Sequence, residues 1–351
     1  VLMLPGAMHK EGRGVESALY EKKADLETVC RTCSHYCRIS AGEKGRCGVR
    51  ENRDGQLCFL AYDRVVAAAA DPIEKKPIYH FKPGSLCYSI AAPGCNFTCD
   101  FCQNADIAQM PVTGKGRLQG QALSPGHLVS KALAAGCESM AFTYTEPTVF
   151  FELARDTAAL AKDAGLATVF VTNGFMSPDL ISAMNGLLDA ANVDLKSFDP
   201  QFYRQYCGGR LGPVKENLKA MVRAGILVEV TTLVIPGLND DPHELEAMAR
   251  FICGELGPDT PWHLSRFHPG FRMTDRDPTP VSTIETAIEK GCTAGLNHVY
   301  AGNLPGHPGE NTLCAACGAV VITRRGYQTR SRLGEKGRCP DCGHHCHGIF
   351  N

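Results

Sequence analysis

The sequence predicts an α/β protein whose central part forms a partial (β/α) barrel between two small cysteine-rich modules. Three observations predict it. From Ser85 to about Ala301, short β-branched runs alternate with helical stretches, the pattern of repeated βα units and a parallel sheet. Nearly every one of these strands ends in a reactive or ligating residue type, as strands do at the C-terminal rim of a barrel. Eleven of the 18 cysteines gather at metal-ligand spacings, at both ends of the chain and just after the first strand. A doubly wound sheet is the alternative, and the cysteine triplet at the first strand end favours the barrel. The expected division is 1–84 for the N-terminal module, 85–304 for the barrel and 305–351 for the C-terminal module.

The elements follow in order. Leu86 to Ala91 is the first strand. Ser124-Pro125 supplies an N-cap and an N1 proline for a helix that stops at Gly136. The second strand, Ser139 to Tyr144, leads to a helix from about Pro147 to Ala164, closed by Gly165. Ala167 to Thr172 is the third strand, and Ser177-Pro178 opens the next helix. Ala191 to Leu195 is the fourth, followed by a helix from about Pro213 to Ala224 that ends at Gly225. The fifth is Leu227 to Ile235, with Asp241-Pro242 opening its helix. Trp262 to Phe267 is the sixth, Ser282 to about Ala294 the last helix, and His298 to Ala301 a seventh strand. Outside the barrel, Leu57 to Ala70 reads as a hairpin, and so do Ala319 to Thr323 and Tyr327 to Arg330 around Arg325-Gly326.

Composition is that of ordinary globular material, 44% hydrophobic and 21% charged. A net charge of −1 gives no bulk attraction to nucleic acid. No apolar run approaches a membrane span, and Val1 to Gly14 lacks the basic-then-apolar order of a leader. A cytoplasmic protein without membrane or nucleic-acid partners is expected. In that compartment clustered thiols bind metal more often than they pair. The isolated Cys58, Cys87, Cys137, Cys207, Cys253 and Cys292 read as small apolar core residues.

The segment after the first strand runs Ala92-Pro93-Gly94-Cys95-Asn96-Phe97-Thr98-Cys99-Asp100-Phe101-Cys102-Gln103-Asn104. Its C-x3-C-x2-C spacing lets one short loop bind three irons of a cubane 4Fe-4S cluster by thiolate. Three local cysteines leave the fourth iron open to an exogenous ligand, whereas a four-cysteine cluster usually only carries electrons. S-adenosylmethionine (SAM), bound there through its amino and carboxylate groups, can accept one electron into its sulfonium. That releases methionine and a 5′-deoxyadenosyl radical, which abstracts a hydrogen atom; the cofactor carries the chemistry and the protein positions and shields it. Phe101, an aromatic residue before the third cysteine, strengthens the pattern.

This triplet resembles that of the radical SAM superfamily, which carries it on the loop after the first barrel strand. The whole chain from Cys30 onward is similar to the radical SAM enzyme of the AmmeMemoRadiSam system, related to pyruvate formate-lyase activating enzymes. The stretches that carry the likeness are Cys47 to Arg53, Asp71 to Pro77, the triplet with Gln103-Asn104, Thr143 to Pro147, Val171 to Gly174, Val193 to Lys196, Leu233 to Asp240 and Gly302 to His307. The resemblance implies a barrel of the radical SAM type. It also implies cofactor-binding roles for Phe101 and Asn104, and for Glu146, which would meet the SAM amino group. Thr172 and Asn173 would bond the ribose or methionine, and Val234 to Gly237 would flank adenine. Asp194 and Lys196, two apart on one face of a strand, can pair with each other and contact SAM or substrate, or act as buried structural glue. Arg266, beside His263 and Ser265, can bind a carboxylate or serve one salt bridge; His268 and His307 are candidates for the substrate mouth.

Cys314-x2-Cys317 and Cys339-x2-Cys342 form two knuckles whose four thiolates suit tetrahedral zinc, making this end a zinc-ribbon-like module. Cys346, His344, His345 and His347 compete for the fourth position. Cys30-x2-Cys33-x3-Cys37 with Cys47 can also close around one metal, either zinc or an auxiliary iron–sulfur cluster, with His35 as a weaker ligand. Two activities remain in view. One is hydrogen abstraction from an unidentified substrate, with Memo-type and AMMECR-type proteins as the partners the resemblance implies. The other is activation of a glycyl radical enzyme. Either needs a reductant protein of flavodoxin or ferredoxin type.

Overall fold

The computed structural model describes residues 14–114 and 118–350. The leader reading of Val1 to Gly14 therefore lies, up to residue 13, outside the described residues. Seven parallel strands form the centre, in sequence order across the sheet: Leu86–Ala91, Ser139–Phe142, Ala167–Thr172, Ala190–Asp194, Leu227–Val234, Trp262–Arg266 and Val299–Gly302. Each pairs with its chain neighbour in parallel register, as the βα repeat requires. The strand order never reverses, so the sheet curls into a partial barrel and the doubly wound alternative falls away.

Helices Pro125–Ala134, Phe151–Asp163, Pro178–Ala183, Leu211–Arg223, Pro242–Phe251 and Val281–Thr293 connect the strands. Three of them start as their sequences dictate. Ser124, Ser177 and Asp241 each accept a backbone N–H from the first turn ahead of an N1 proline. The helices cover the sheet with one continuous apolar core that includes Phe142, Phe150, Phe170, Leu218 and Trp262.

Two expectations change. Leu57 to Ala70 is not a hairpin. Gln56–Phe59 pairs with Arg50–Arg53 instead, while Ala67–Pro72 runs antiparallel to Leu86–Ala91 as an eighth strand of the main sheet. That pairing supplies the partner edge that the first parallel strand would otherwise leave open. Cys292 is exposed and Cys253 half-buried, so these two are not core residues, whereas Cys58, Cys87, Cys137 and Cys207 are. The C-terminal hairpin is present as Val320–Arg325 and Gln328–Ser331, its two-residue turn being Gly326-Tyr327 with Gly326 at φ +60°.

The two flanking modules sit at opposite ends of the barrel. The N-terminal one packs on the loop after the third parallel strand: Ser34 donates to Phe175 and Met176 carbonyls, and His35 lies against the Phe175 ring. The C-terminal one packs under the strand beginnings. There the Glu229 carboxylate accepts the Tyr79 and His80 backbone N–H groups and bonds His263 at 2.6 Å. From below, Arg324 donates to Tyr79 O at 2.8 Å with its guanidinium 4.0 Å from the Tyr79 ring centre. Among the described residues no helix is long and apolar enough to cross a membrane.

Candidate functional site

The loop after the first strand is shaped by a glycine and held by backbone bonds. Gly94 sits at φ +105°, and a Cβ there would lie 3.2 Å from the Cys47 carbonyl oxygen. Only glycine lets the loop turn this close to the N-terminal module. Thr98 N donates to Cys207 O, Asp100 N to Tyr206 O, and the Gln109 amide to Phe97 O. So tethered, Cys95, Cys99 and Cys102 all line one cavity of about 490 Å³ inside the barrel.

Most of the expected site residues share that cavity. Phe101, Asn104, Glu146, Thr172, Asn173, Asp194 and Lys196 line it. Arg266 does not: its Nε donates to Thr279 O and fixes the following loop. His268 and the Val234 to Gly237 turn also lie off its wall, and His307 accepts from Gly309 N as a helix cap. Of the strand-six group, Ser265 reaches the cavity, while His263 is spent on Glu229.

Glu146 is 1% exposed and is the hub of the wall. Its Oε1 accepts from Thr148 N, Thr148 Oγ1 and Thr172 Oγ1, at 3.0, 2.6 and 2.7 Å. Its Oε2 accepts from Asn173 N alone, at 2.8 Å, and keeps room for one more donor. Burial raises the carboxyl above its ordinary range, against the pull of these donors. Thr172 and Asn173 thus first build Glu146 into place. The Asn173 amide also donates to Asn96 Oδ1 at 2.7 Å and lies 3.8 Å from Cys95 Sγ.

Lys196 Nζ bonds Asp194 Oδ2 at 2.7 Å. Burial works against the ammonium, but Asp194 and the nearby Cys99 outweigh it and hold Lys196 well above its ordinary value. The side chain therefore stays charged inside the barrel.

Two residues escaped the sequence reading. Cys207 is fully buried against Cys99; its thiol holds Cys99 below the ordinary thiol range, while burial and Cys99 hold Cys207 well above it. Cys207 ends a π-helical turn, Tyr203–Cys207, far from the triplet in sequence, and only its place beside an odd-spaced turn could have marked it. Thr231 lines the cavity with a buried hydroxyl that has no partner. A β-branched residue in mid-strand gives no sequence signal of that kind.

At the C-terminal end, Cys314, Cys317, Cys339 and Cys342 bring their sulfurs within 4.8 Å of one another. Cys346 is buried nearby but is not in that group, nor are His344, His345 and His347. The quartet could hold a metal ion.

Comparison with known proteins agrees with this arrangement. Residues 89–252 match the model described as the radical SAM superfamily. The uncharacterized protein MJ0808 of Methanocaldococcus jannaschii is 40% identical over 330 residues, covering 93% of this chain and 97% of that protein. The benzylsuccinate synthase activating enzyme of Thauera aromatica is 27% identical over 124 residues, 35% of this chain and 38% of that one. Among solved structures, Streptococcus suis SuiB bound to precursor peptide SuiA superposes with a TM-score of 0.50 at 12% identity, covering 67% of this chain and 52% of that one.

Proposed function

The chain belongs to the radical SAM superfamily, and from that premise we propose that it is an enzyme that abstracts hydrogen from a substrate bound in the barrel cavity. One observation carries the reading: three thiols, a buried carboxylate with a free acceptor site and a charged lysine converge on one cavity. When bound, a 4Fe-4S cluster and SAM supply one-electron cleavage of the sulfonium to a 5′-deoxyadenosyl radical.

The residues present fit those groups. Cys95, Cys99 and Cys102 offer thiolates to three irons. Glu146 Oε2 can accept an ammonium hydrogen, and Lys196, kept charged by Asp194, suits a carboxylate. The unpartnered Thr231 hydroxyl suits a ribose or substrate hydroxyl. Cys207 donates to Cys99 and so tunes a thiolate ligand. Glu229 and Tyr79, both buried and bonded to each other, close the strand beginnings below.

Within the superfamily, the reading favoured is the AmmeMemoRadiSam enzyme, acting in a reduced cytoplasm. Its electron donor would be of flavodoxin or ferredoxin type, its partners Memo-type and AMMECR-type proteins, and a zinc ion would sit in the C-terminal quartet. A second reading, oxidoreductase-type activation of a glycyl radical enzyme, is supported by the stretch similar to benzylsuccinate synthase activating enzyme. The test is SAM cleavage by anaerobically reconstituted protein under dithionite. 5′-Deoxyadenosine should form and should vanish in Cys95→Ala/Cys99→Ala/Cys102→Ala. A loaded cluster that binds no SAM would end the reading. A nearby glycyl radical enzyme that acquires a radical signal on incubation would favour the second.

A further inference from the structure

The first cysteine cluster has no part in the reaction above. Cys30, Cys33, Cys37 and Cys47 nevertheless all line a single cavity. That cavity abuts the barrel site: Asn96 lines it, while its chain neighbour Cys95 lines the barrel cavity. The carbonyl of Asn96 is also bonded by His35 at 2.8 Å.

The cavity is built for an occupant with acceptor atoms. Arg50, 1% exposed, lines it and has an Nε with no partner, although its Nη atoms are fully engaged by Glu152, Ser17 and Val149. Asn96, 3% exposed, lines it with an Nδ2 that also has no partner. Two buried donors left unsatisfied beside four thiols are expensive unless something in the cavity accepts from them.

The sulfur spacing says what that occupant is, and the chain carries its own ruler. Tetrahedral zinc with Zn–S bonds of about 2.3 Å sets its sulfurs about 3.8 Å apart. In the C-terminal quartet, Cys314 and Cys342 are 3.6 Å apart and Cys317 and Cys339 are 3.8 Å apart. Among the described residues, that quartet is the one group of three or more such donor atoms within 4.8 Å of one another. The N-terminal four do not close to that spacing, and neither do Cys95, Cys99 and Cys102, the triplet read here as a cubane site. In a cubane each thiolate binds a different iron, so its ligands stand wider than around one ion.

We propose that Cys30, Cys33, Cys37 and Cys47 hold a second iron–sulfur cluster of the cubane type, with Arg50 Nε and Asn96 Nδ2 as hydrogen-bond donors to its sulfurs. Four thiolates leave no open iron, so this site carries electrons and binds no substrate. It stands one peptide link from the barrel site.

The experiment separates this site from the triplet. The full chain carrying Cys95→Ala/Cys99→Ala/Cys102→Ala is reconstituted anaerobically with ferrous iron, sulfide and two equivalents of zinc, then desalted and analysed for metal and sulfide. The proposal requires about four irons and four sulfides per chain, and a paramagnetic signal after dithionite reduction. A further Cys33→Ala substitution should drop the iron several-fold. Should the triple variant not fold, the unsubstituted chain decides: about eight irons support the proposal and about four oppose it. Two zinc ions without sulfide, or an N-terminal site that stays free of metal, overturns it. None of these readings depends on whether SAM is cleaved.

Discussion

Glu152→Gln tests what anchors the N-terminal module to the barrel. Arg50 and Glu152 have side chains 1% and 3% exposed and meet through two parallel bonds, at 2.9 and 2.7 Å. Glu152 also accepts Ala18 N at 2.9 Å, and Arg50 also donates to Ser17 Oγ and Val149 O. The glutamine keeps the shape but removes the counter-charge and turns an amide NH2 toward a guanidinium donor. Breaking one partner of a buried pair costs about 3–5 kcal/mol. Because Arg50 retains Ser17 and Val149 as acceptors, the lower end, about 3 kcal/mol, is expected. Urea unfolding followed by circular dichroism measures it. With a slope of at least about 3 kcal/mol per M, the midpoint falls by no more than about 1 M. An Arg50→Met/Glu152→Leu double variant should recover part of that loss, since no charge is then stranded. A single variant whose midpoint and slope match the parent would show that water reaches the Arg50 guanidinium and that the pair does not anchor the module.

Three further outcomes are expected. Cys207→Ala removes the thiol donor beside Cys99 and should lower the reduction potential of a cluster on the triplet by on the order of tens of millivolts, read by redox titration; an unchanged potential would mean the thiol points elsewhere. Burial alone would raise Asp71, but bonds from Lys75, Lys76 and Tyr144 overcome it and hold the carboxyl well below its ordinary range. The unfolded chain protonates it near pH 4, so its stabilisation is complete above about pH 4 and fades as pH falls toward the lower folded value. Asp71→Asn should therefore flatten the acid limb of the stability curve, and an equally steep limb would sink this account. Stripping metal from Cys314, Cys317, Cys339 and Cys342 with a chelator should lower the melting temperature by roughly 5 °C, by loosening the module that carries Arg324; a melting curve that does not move would mean the module holds its shape without metal.

The barrel was legible because its signals are local. Ser124, Ser177 and Asp241 announce helix starts within one turn, and β-branched runs announce strands. The triplet was legible because three ligands on one loop need no tertiary contact to be seen. The rest depended on distance in space. Ala67–Pro72 reads as half of a local hairpin until the free edge of Leu86–Ala91 competes for it. Arg266 sits at a strand end like Asp194, yet the 267–280 loop returns to occupy it through Thr279 O. Glu146 was found, but its bonds from Thr172 Oγ1 and Asn173 N were not, because they need the third strand alongside.

The base of the barrel has a history on the ribosome. Tyr79 is held from one side by Glu229 and from the other by Arg324, 245 residues later in the chain. At about 5–20 residues per second, roughly 12–50 seconds separate the synthesis of the two. Glu229 can engage Tyr79 well before Arg324 exists, so the strands assemble first and the latch beneath them closes late. In the last part of that interval, from Glu229 to Arg324, the nascent barrel stands open at its foot, and a chaperone or protease meets Tyr79 and Phe81 before their final partners do.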